Sequence, residues 1–199
     1  MADPGSELAG RKVLLGVAGG IAAYKTPELV RQLVQRRAEV EVVMTASARQ
    51  FVAPLALQVV SGHSVLTDLF DRSEGAEVRH IALARSADVA VLAPATANLL
   101  GKLAHGIADD PVSTVFLAVT APTLLAPAMN DAMWGHPAVA ESVGRLVSWG
   151  YRLVGPEEGY LAEGYSGIGR MSEPETIVEA LVGMAAGPTR GIKRAMPGG

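Results

Sequence analysis

The sequence of 199 residues contains no cysteine. Disulfide bonds and metal sites built from thiolates are therefore excluded. Histidine is the other common ligand of transition metals, but the four histidines show no paired ligand spacing; they are His63, His80, His105 and His136. We expect no structural metal.

Excess charge of one sign, aromatic residues and long apolar runs are also scarce. The formal net charge is -3 and aromatic residues make up 5% of the chain, so we expect no basic surface for nucleic acid. No apolar run of about 18 residues, the length that spans a bilayer, lacks a charge or a helix breaker. No basic and apolar leader precedes Lys12. We therefore expect no membrane partner and a cytoplasmic location.

Hydrophobic residues make up 49% of the chain, which suits one α/β domain at this length. Short β-branched segments alternate with segments of helical periodicity, the pattern of parallel βαβ units. We predict a flavodoxin-like (Rossmann-like), doubly wound parallel sheet of about five or six strands in a single domain. The five buried strands that we can place are Lys12–Val17, Val40–Met44, Val89–Ala93, Thr123–Ala126 and Tyr151–Val154.

The first helical pattern covers Ile21–Arg37, and its apolar residues recur at spacings of three and four. They are Leu29, Val30, Leu33 and Val34. Residues 1–9 and 188–199 are rich in small residues and proline and lack such periodicity. We expect flexible ends around one domain that covers residues 10–187.

Small and polar residues follow the first three predicted strands. Gly19 and Gly20 form a turn that opens into a helix, where backbone N–H groups favour an anion such as phosphate. Thr45 and Ser47 follow the second strand, and Thr96–Asn98 follow the third. Taken singly, the glycines can serve packing alone and the hydroxyls can be helix caps. Because parallel strands end at one sheet edge, their convergence favours a phosphorylated cofactor.

Four motifs together resemble the flavin-dependent cysteine decarboxylases, in one collinear order between Lys12 and Val182. The motifs are Gly19–Lys25, Pro94–Asn98, Pro127–Asn130 with Met133 and Trp134, and Gly167–Met171. This family includes phosphopantothenoylcysteine decarboxylase of coenzyme A synthesis and the peptidyl-cysteine decarboxylases that make aminovinyl-cysteine. The resemblance implies bound FMN and a homotrimer, which in some members assembles into a homododecamer.

The resemblance also implies site residues. FMN would be bound by Gly19, Gly20, Thr45, Ser47, Phe51, Thr96, Ala97, Asn98, Leu99 and Ala128. The substrate would be bound by Met129, Asn130, Met133, Trp134, Glu163, Gly164, Gly167, Gly169, Arg170 and Met171. Of the catalytic residues, His80 would be the base in substrate oxidation and Asn130 would hold the substrate carboxylate. Without the resemblance, His80 fits a helix start, Asn130 fits a turn, and residues 159–171 fit an ordinary surface loop.

The reaction that the family performs needs an electron sink before CO2 can leave. Flavin oxidises the substrate thiol to a thioaldehyde, whose C=S group accepts the electrons that CO2 leaves behind and becomes an enethiolate. In the coenzyme A enzymes a cysteine that aligns with Glu163 assists the final reduction of the enethiol.

Because Glu163 is not a thiol, we predict the reaction without that reduction. The predicted substrate is a ribosomally made peptide that ends in cysteine, and the product is an aminoenethiol. The alternative is phosphopantothenoylcysteine decarboxylation, with Glu163 or another acid as proton donor. A third possibility is a regulatory FMN-binding subunit, which would need neither His80 nor Asn130.

Overall fold

The computed structural model describes residues 6–70 and 79–186. Within these segments five parallel strands form the main sheet in the order β2-β1-β3-β4-β5. The strands are β1 (Lys12–Val17), β2 (Glu39–Met44), β3 (Val89–Ala95), β4 (Thr123–Pro127) and β5 (Arg152–Leu153). This order is that of a flavodoxin-like doubly wound sheet, so the predicted fold class is confirmed.

Helices cover both faces of this sheet. One layer contains α1 (Thr26–Gln35), α2 (Pro54–Ser61) and α8 (Pro174–Ala186). The other layer contains α3 (Arg79–Ser86), α4 (Ala97–His105), α5 (Pro111–Ala118) and α7 (Pro137–Ser148). The short helix α6 (Asp131–Trp134) follows β4. In the described segments, no helix combines the length and the apolar composition that crossing a bilayer requires.

Strand β1 shows how the sheet separates two cores. Val13 and Leu15 pack with the layer of α1 and α8, whereas Leu14 packs with the layer of α3, α4 and α5. Successive side chains of a strand point to opposite faces, and both faces of a parallel sheet are covered. For this reason Lys12–Val17 is almost continuously apolar and is buried beyond its first residue.

The predicted helix Ile21–Arg37 is divided in the structure, so that prediction was wrong in its extent. Residues Ile21–Lys25 form a 3-10 helix, and α1 begins only at Thr26 with Pro27 in its first turn. Proline is tolerated there because its missing N–H has no partner in the first turn of an α-helix. Leu29, Val30 and Leu33 are fully buried as expected, but Val34 is 37% exposed.

The last predicted strand was also too long. We expected a buried strand over Tyr151–Val154, but β5 contains only Arg152 and Leu153, and both are exposed. This strand lies at the edge of the main sheet and pairs only with β4 among the described strands, through two residue pairs. An edge strand has one neighbour, so short pairing is sufficient there.

The packed chain begins earlier than the predicted boundary at residue 10. Leu8 is fully buried in the core that contains α1, and its N–H donates a hydrogen bond to the carbonyl oxygen of Arg36 at 3.3 Å. Residues 1–5 and 187–199 lie outside the described part of the chain. The predicted flexibility of those ends stays a prediction.

Gly16 lies where β1 is crowded by the α5 layer. A β-carbon built on Gly16 would lie 2.4 Å from Leu92 Cδ2 and 2.5 Å from Phe116 Cε2. Both of these side chains are almost completely buried. We therefore expect Gly16→Ala to lower the free energy of unfolding by about 1–3 kcal/mol through overpacking.

Gly144 on α7 provides the matched control, because a β-carbon built there meets nothing within 4 Å. Gly144→Ala should raise the free energy of unfolding by about 0.5–1 kcal/mol. The measurement is chemical denaturation of both variants and the wild type at one protein concentration. Equal stability of Gly16→Ala and the wild type would contradict the packing argument.

Candidate active site

A cleft of about 460 Å³ opens beyond the end of β4. Its walls are the 3-10 helix Ile21–Lys25 and an antiparallel hairpin of β6 (Glu157–Tyr160) and β7 (Ser166–Arg170). This hairpin forms a second, two-stranded sheet. The segment 159–171, which fits an ordinary surface loop when the resemblance is left aside, lies largely in an ordered hairpin that faces the cleft.

The cleft brings together seven of the residues expected to bind substrate or FMN. They are Ala128, Met129, Asn130, Glu163, Gly169, Arg170 and Met171. Four other predicted substrate residues belong to the same segments without lining the cleft, namely Met133, Trp134, Gly164 and Gly167. Tyr24, Lys25 and Tyr160 also line the cleft, although we did not predict them as site residues.

His80 is not part of this cleft among the described residues of one chain. It lies in the first turn of α3 and is partly exposed. Leu83 and Ala84 of the same helix are buried in the core beneath it, which fixes the helix on the sheet. The expected catalytic pair of His80 and Asn130 is therefore not assembled in the lining of one cleft.

Asn130 is held at both ends of its amide. Its Oδ1 caps α6 by accepting a hydrogen bond from the N–H of Ala132 at 2.9 Å. Its Nδ2 donates to Glu163 Oε1 at 3.1 Å and to the hydroxyl of Tyr165 at 2.8 Å. These two bonds use both N–H groups of the amide. The amide oxygen of Asn130 therefore has the local turn role that we left open, whereas the amide N–H groups bind side chains of the hairpin.

Tyr165 and Asp131 extend this contact, and we missed both residues in the sequence. The Tyr165 hydroxyl donates a hydrogen bond to Asp131 Oδ1 at 2.6 Å. This bond raises the pKa of the Tyr165 hydroxyl, since a neighbouring carboxylate disfavours the phenolate. The partners are 34 residues apart, so no local spacing indicates the pair. In the sequence, these residues were indicated only by their neighbours: Asp131 follows Asn130, and Tyr165 follows Gly164.

Two of the hairpin glycines allow close packing between the hairpin and the segment after β4. A β-carbon on Gly169 would lie 2.0 Å from the carbonyl oxygen of Met129, and one on Gly167 would lie 2.9 Å from Asp131 Oδ2. The N–H of Met129 donates to the carbonyl oxygen of Gly169 at 3.0 Å. Only Gly164, with φ of 91°, has a backbone conformation among these three that itself favours glycine.

Lys25 joins the 3-10 helix to the other side of the cleft. Its side chain is 10% exposed, and its Nζ lies 2.9 Å from Glu173 Oε1. Arg170 contacts the same carboxylate. The pKa of Glu173 is lowered, chiefly by the hydrogen bond from Lys25; burial opposes this and Arg170 adds to it. Lys25 and Arg170, which line the cleft, thus share one acidic partner.

The residues expected to bind flavin phosphate meet at the ends of β1, β2 and β3. A β-carbon on Gly19 would lie 2.3 Å from Ser47 Oγ, so the glycine turn packs directly on that residue. Thr45 Oγ1 and Ser47 Oγ are 3.0 Å apart. A β-carbon on Gly20 would lie 3.5 Å from Thr96 Cγ2. The fold therefore gathers glycines and hydroxyls from three strand ends, as the cofactor hypothesis requires.

The remaining expected flavin residues surround this edge. Thr96 caps α4 by accepting a hydrogen bond from the N–H of Leu99 at 3.5 Å, so it has the capping role that we left open. Leu99 is 1% exposed, so its side chain cannot contact a ligand and only its backbone could do so. Asn98 is exposed, Ala97 is partly exposed, and Phe51 is 44% exposed. These side chains are accessible to a cofactor at the edge.

One cluster of two glutamates and a histidine was not indicated by the spacing of the histidines in the sequence. Ligand atoms of Glu39, Glu41 and His63 lie within 4.8 Å of one another. Burial raises the pKa of Glu41, while His63 and Arg79 oppose that rise. Lys12 Nζ lies 3.1 Å from Glu39 Oε1. Nearby cations thus balance these carboxylates, and the absence of a structural metal stays a prediction.

Comparison with known proteins agrees with this geometry. The model of a family described as Flavoprotein matches residues 1–186. The chain belongs to the flavoprotein family. It is 52% identical over 169 residues to the coenzyme A biosynthesis bifunctional protein CoaBC of Bacillus subtilis (strain 168), covering 85% of this chain and 42% of that protein. The CoaBC of Escherichia coli (strain K12) is 46% identical over 197 residues, and the match covers 92% of this chain and 48% of that protein.

Solved structures support the narrower resemblance seen in the motifs. The FMN-dependent cysteine decarboxylase SpaF superposes with a TM-score of 0.79 at 39% identity, covering 90% of this chain and 99% of that one. A variant of PPC decarboxylase complexed with pantothenoylaminoethenethiol superposes with a TM-score of 0.78 at 34% identity. The match covers 86% of this chain and 96% of that one. The assignment to the flavin-dependent cysteine decarboxylases is confirmed. The chain spans about half the length of the curated relatives, or less.

The shared carboxylate of Glu173 predicts a pH effect on stability. A carboxyl whose pKa is lower in the folded state contributes stability above the unfolded pKa, about 4.3 for glutamate. That contribution disappears as the pH falls through the folded value. We expect the wild type to lose unfolding free energy relative to Glu173→Gln as the pH falls from about 5 to about 3.

Chemical denaturation of the two proteins across this pH range measures the effect. The control repeats the comparison in a Lys25→Met background, where the largest cause of the lowered pKa is missing. The pH-dependent difference should then shrink. An identical pH dependence with and without Lys25 would show that the ion pair does not couple protonation to folding.

Proposed function

We propose that this chain binds FMN and decarboxylates the cysteine carboxylate of phosphopantothenoylcysteine. The observation that carries the proposal is the cleft at the end of β4, where the amide of Asn130 already binds a carboxylate, that of Glu163. The glycine and hydroxyl edge follows β1, β2 and β3 of the same sheet. These features support the proposal because the reaction needs a group that orients the substrate carboxylate, and FMN needs an edge that could hold its phosphate.

FMN fits the edge by the chemistry of its residues. The phosphate would be held by backbone N–H groups at Gly19 and Gly20 and by the hydroxyls of Thr45, Ser47 and Thr96. Phe51, Ala97, Asn98, Leu99 and Ala128 complete the proposed set. When FMN is bound, it supplies a two-electron acceptor for oxidation of the substrate thiol.

The protein's own groups position the substrate and move protons. Asn130 orients the carboxylate through hydrogen bonds without the stronger attraction of a guanidinium, so less ground-state binding is lost when CO2 departs. His80 can accept the proton released during substrate oxidation, because an imidazole exchanges protons near neutral pH. The hairpin covers the cleft, and Arg170 and Met171 form part of its wall.

Phosphopantothenoylcysteine ranks above the peptide substrate that the sequence led us to prefer. The curated relatives that carry a coenzyme A function in their names are 43–52% identical to the chain, whereas SpaF is 39% identical. One of the similar structures is a PPC decarboxylase with a pantothenoyl ligand. Both observations support the coenzyme A substrate for this cleft.

A peptide ending in cysteine is the second candidate, and Glu163 favours it. The chain has no thiol that could assist reduction of an enethiol. If that step is absent, the product stays an aminoenethiol. The two electrons that the flavin took from the substrate must then pass to a separate oxidant. The similarity to the FMN-dependent cysteine decarboxylase TvaF from thioviridamide biosynthesis, with a TM-score of 0.70 at 34% identity, agrees with this candidate.

The substrate and the product are tested together by mass spectrometry. The holoenzyme is incubated with phosphopantothenoylcysteine and, separately, with a peptide that ends in cysteine. Loss of about 44 mass units identifies decarboxylation to the thiol, and loss of about 46 identifies the enethiol, since CO2 and two hydrogens leave the substrate. We expect turnover of phosphopantothenoylcysteine. Turnover of the peptide alone would replace the substrate, and no loss from either would support a regulatory FMN-binding subunit.

We further propose that the enzyme is a homotrimer or a larger assembly such as a dodecamer. Two features support a partner copy. His80 does not line the Asn130 cleft of the same chain, and Phe51, Leu55 and Val59 are exposed apolar residues on or beside α2. The cytoplasmic location and the absence of nucleic-acid and membrane partners stay predictions from composition.

Two substitutions separate catalysis from cofactor binding. His80→Ala should retain FMN and lose about 10²–10⁴-fold in turnover, the range for a lost general base. Asn98→Ala should release flavin more readily, because its exposed side chain lies at the proposed FMN edge. Flavin absorbance after gel filtration measures how much FMN each variant retains. Turnover at saturating FMN measures catalysis. Full activity of the histidine variant would remove His80 from the mechanism.

A further inference from the structure

The donor groups of Asn130 are occupied by side chains of the same protein. Glu163 and Tyr165 accept one hydrogen bond each from Nδ2, at 3.1 and 2.8 Å. An amide has two N–H donors, so neither is left for a ligand in this state. A substrate carboxylate can reach the Asn130 donors only after one of these two acceptors moves away.

Glu163 is held in a way that allows this displacement. It lies at the exposed turn between β6 and β7, and the partner that it contacts is a neutral amide. Among the described residues, the cations that line the cleft are Lys25 and Arg170, and each contacts Glu173. A carboxylate on an exposed amide is bound less strongly than one on a guanidinium. Exchange for another carboxylate therefore costs little.

Tyr165 and Asp131 have a different relation to the amide. The Tyr165 hydroxyl accepts from Asn130 and donates to Asp131 Oδ1 at 2.6 Å. Asp131 is the first residue of α6, directly after Asn130. This chain of two hydrogen bonds fixes the rotation of the amide from the side opposite its capping oxygen. It can persist when Glu163 leaves.

We propose that Glu163 is a specificity-determining residue that competes with the substrate carboxylate for Asn130, and that Tyr165 and Asp131 are positioning residues for the amide. The inference rests on the proposed function in taking a cysteine carboxylate as the ligand. A ligand with a carboxylate displaces Glu163, whereas the decarboxylated product cannot. The return of Glu163 to Asn130 after CO2 departs then favours product release.

Binding of two small probes to the holoenzyme tests the competition. N-acetylcysteine carries the carboxylate, and N-acetylcysteamine is the same molecule without it. Glu163→Ala should bind N-acetylcysteine about fivefold more tightly than the wild type, the size of one like-charge repulsion at contact distance in water. Glu163→Gln should show part of this gain, because it loses the charge and keeps an oxygen acceptor. Affinity for N-acetylcysteamine should not change.

Glu158→Ala is the matched control, since Glu158 is an exposed glutamate of the same hairpin that does not line the cleft. It should bind both probes like the wild type. Equal affinity of the wild type and Glu163→Ala for N-acetylcysteine overturns the proposal. So does an equal gain for both probes, or no binding of N-acetylcysteine by either protein.

The positioning residues are tested by the ratio of the two probe affinities, which a general loss of stability does not change. Tyr165→Phe removes the hydroxyl and should lower the preference for N-acetylcysteine. Asp131→Ala should do the same, while Asp131→Asn keeps an acceptor and should rescue the preference. Unchanged preference in Tyr165→Phe would contradict the positioning role.

Hydrogen exchange separates this inference from the proposed function. Without ligand, the amides of residues 157–170 should exchange faster in Glu163→Ala than in the wild type or Glu158→Ala, because a contact between the hairpin and α6 is lost. Unchanged exchange would overturn the contact itself. Failure of the proposed function is seen elsewhere, as absent turnover of both full substrates, and does not alter these binding and exchange results.

Discussion

The parallel register of β1, β3 and β4 is the constraint on which the site depends. Val13 pairs with Val89, and Ala90 pairs with Thr123, so the three strands run in the same direction. Their carboxyl ends must then meet at one edge of the sheet. The two helical layers hold this register by burying both faces of every central strand. Glycines, hydroxyls and the Asn130 loop converge for this reason.

The hairpin turns this edge into a cleft because β7 lies directly on the loop after β4. The approach is possible only because Gly169 has no side chain: a β-carbon there would lie 2.0 Å from the Met129 carbonyl oxygen. Across the cleft, Lys25 reaches Glu173 and connects the 3-10 helix to the segment after β7. The backbone contact and the ion pair therefore place the Asn130 amide between two segments that are far apart in sequence.

The sequence predicted the central sheet well and its periphery poorly. Strands β1 to β4 were placed within two residues because buried strands must be almost continuously apolar. The edge strand β5 was overestimated, since one neighbour imposes a weaker pattern. The hairpin was not recognised as two strands, because Glu157–Tyr160 and Ser166–Arg170 are polar and glycine-rich and bury little apolar surface. Leu8 was missed because a single apolar residue has no periodicity.

By itself, the sequence determined the fold class, the family and the residue types at each strand end, because apolar periodicity and local motifs are properties of neighbouring residues. It also determined that no thiol can serve at Glu163. Only the tertiary structure decided that Asn130 binds Glu163 and Tyr165, which are 33 and 35 residues away, and that His80 lies outside the cleft. Such contacts depend on how closely β7 approaches the end of β4. That distance is set by packing between elements, which local sequence does not encode.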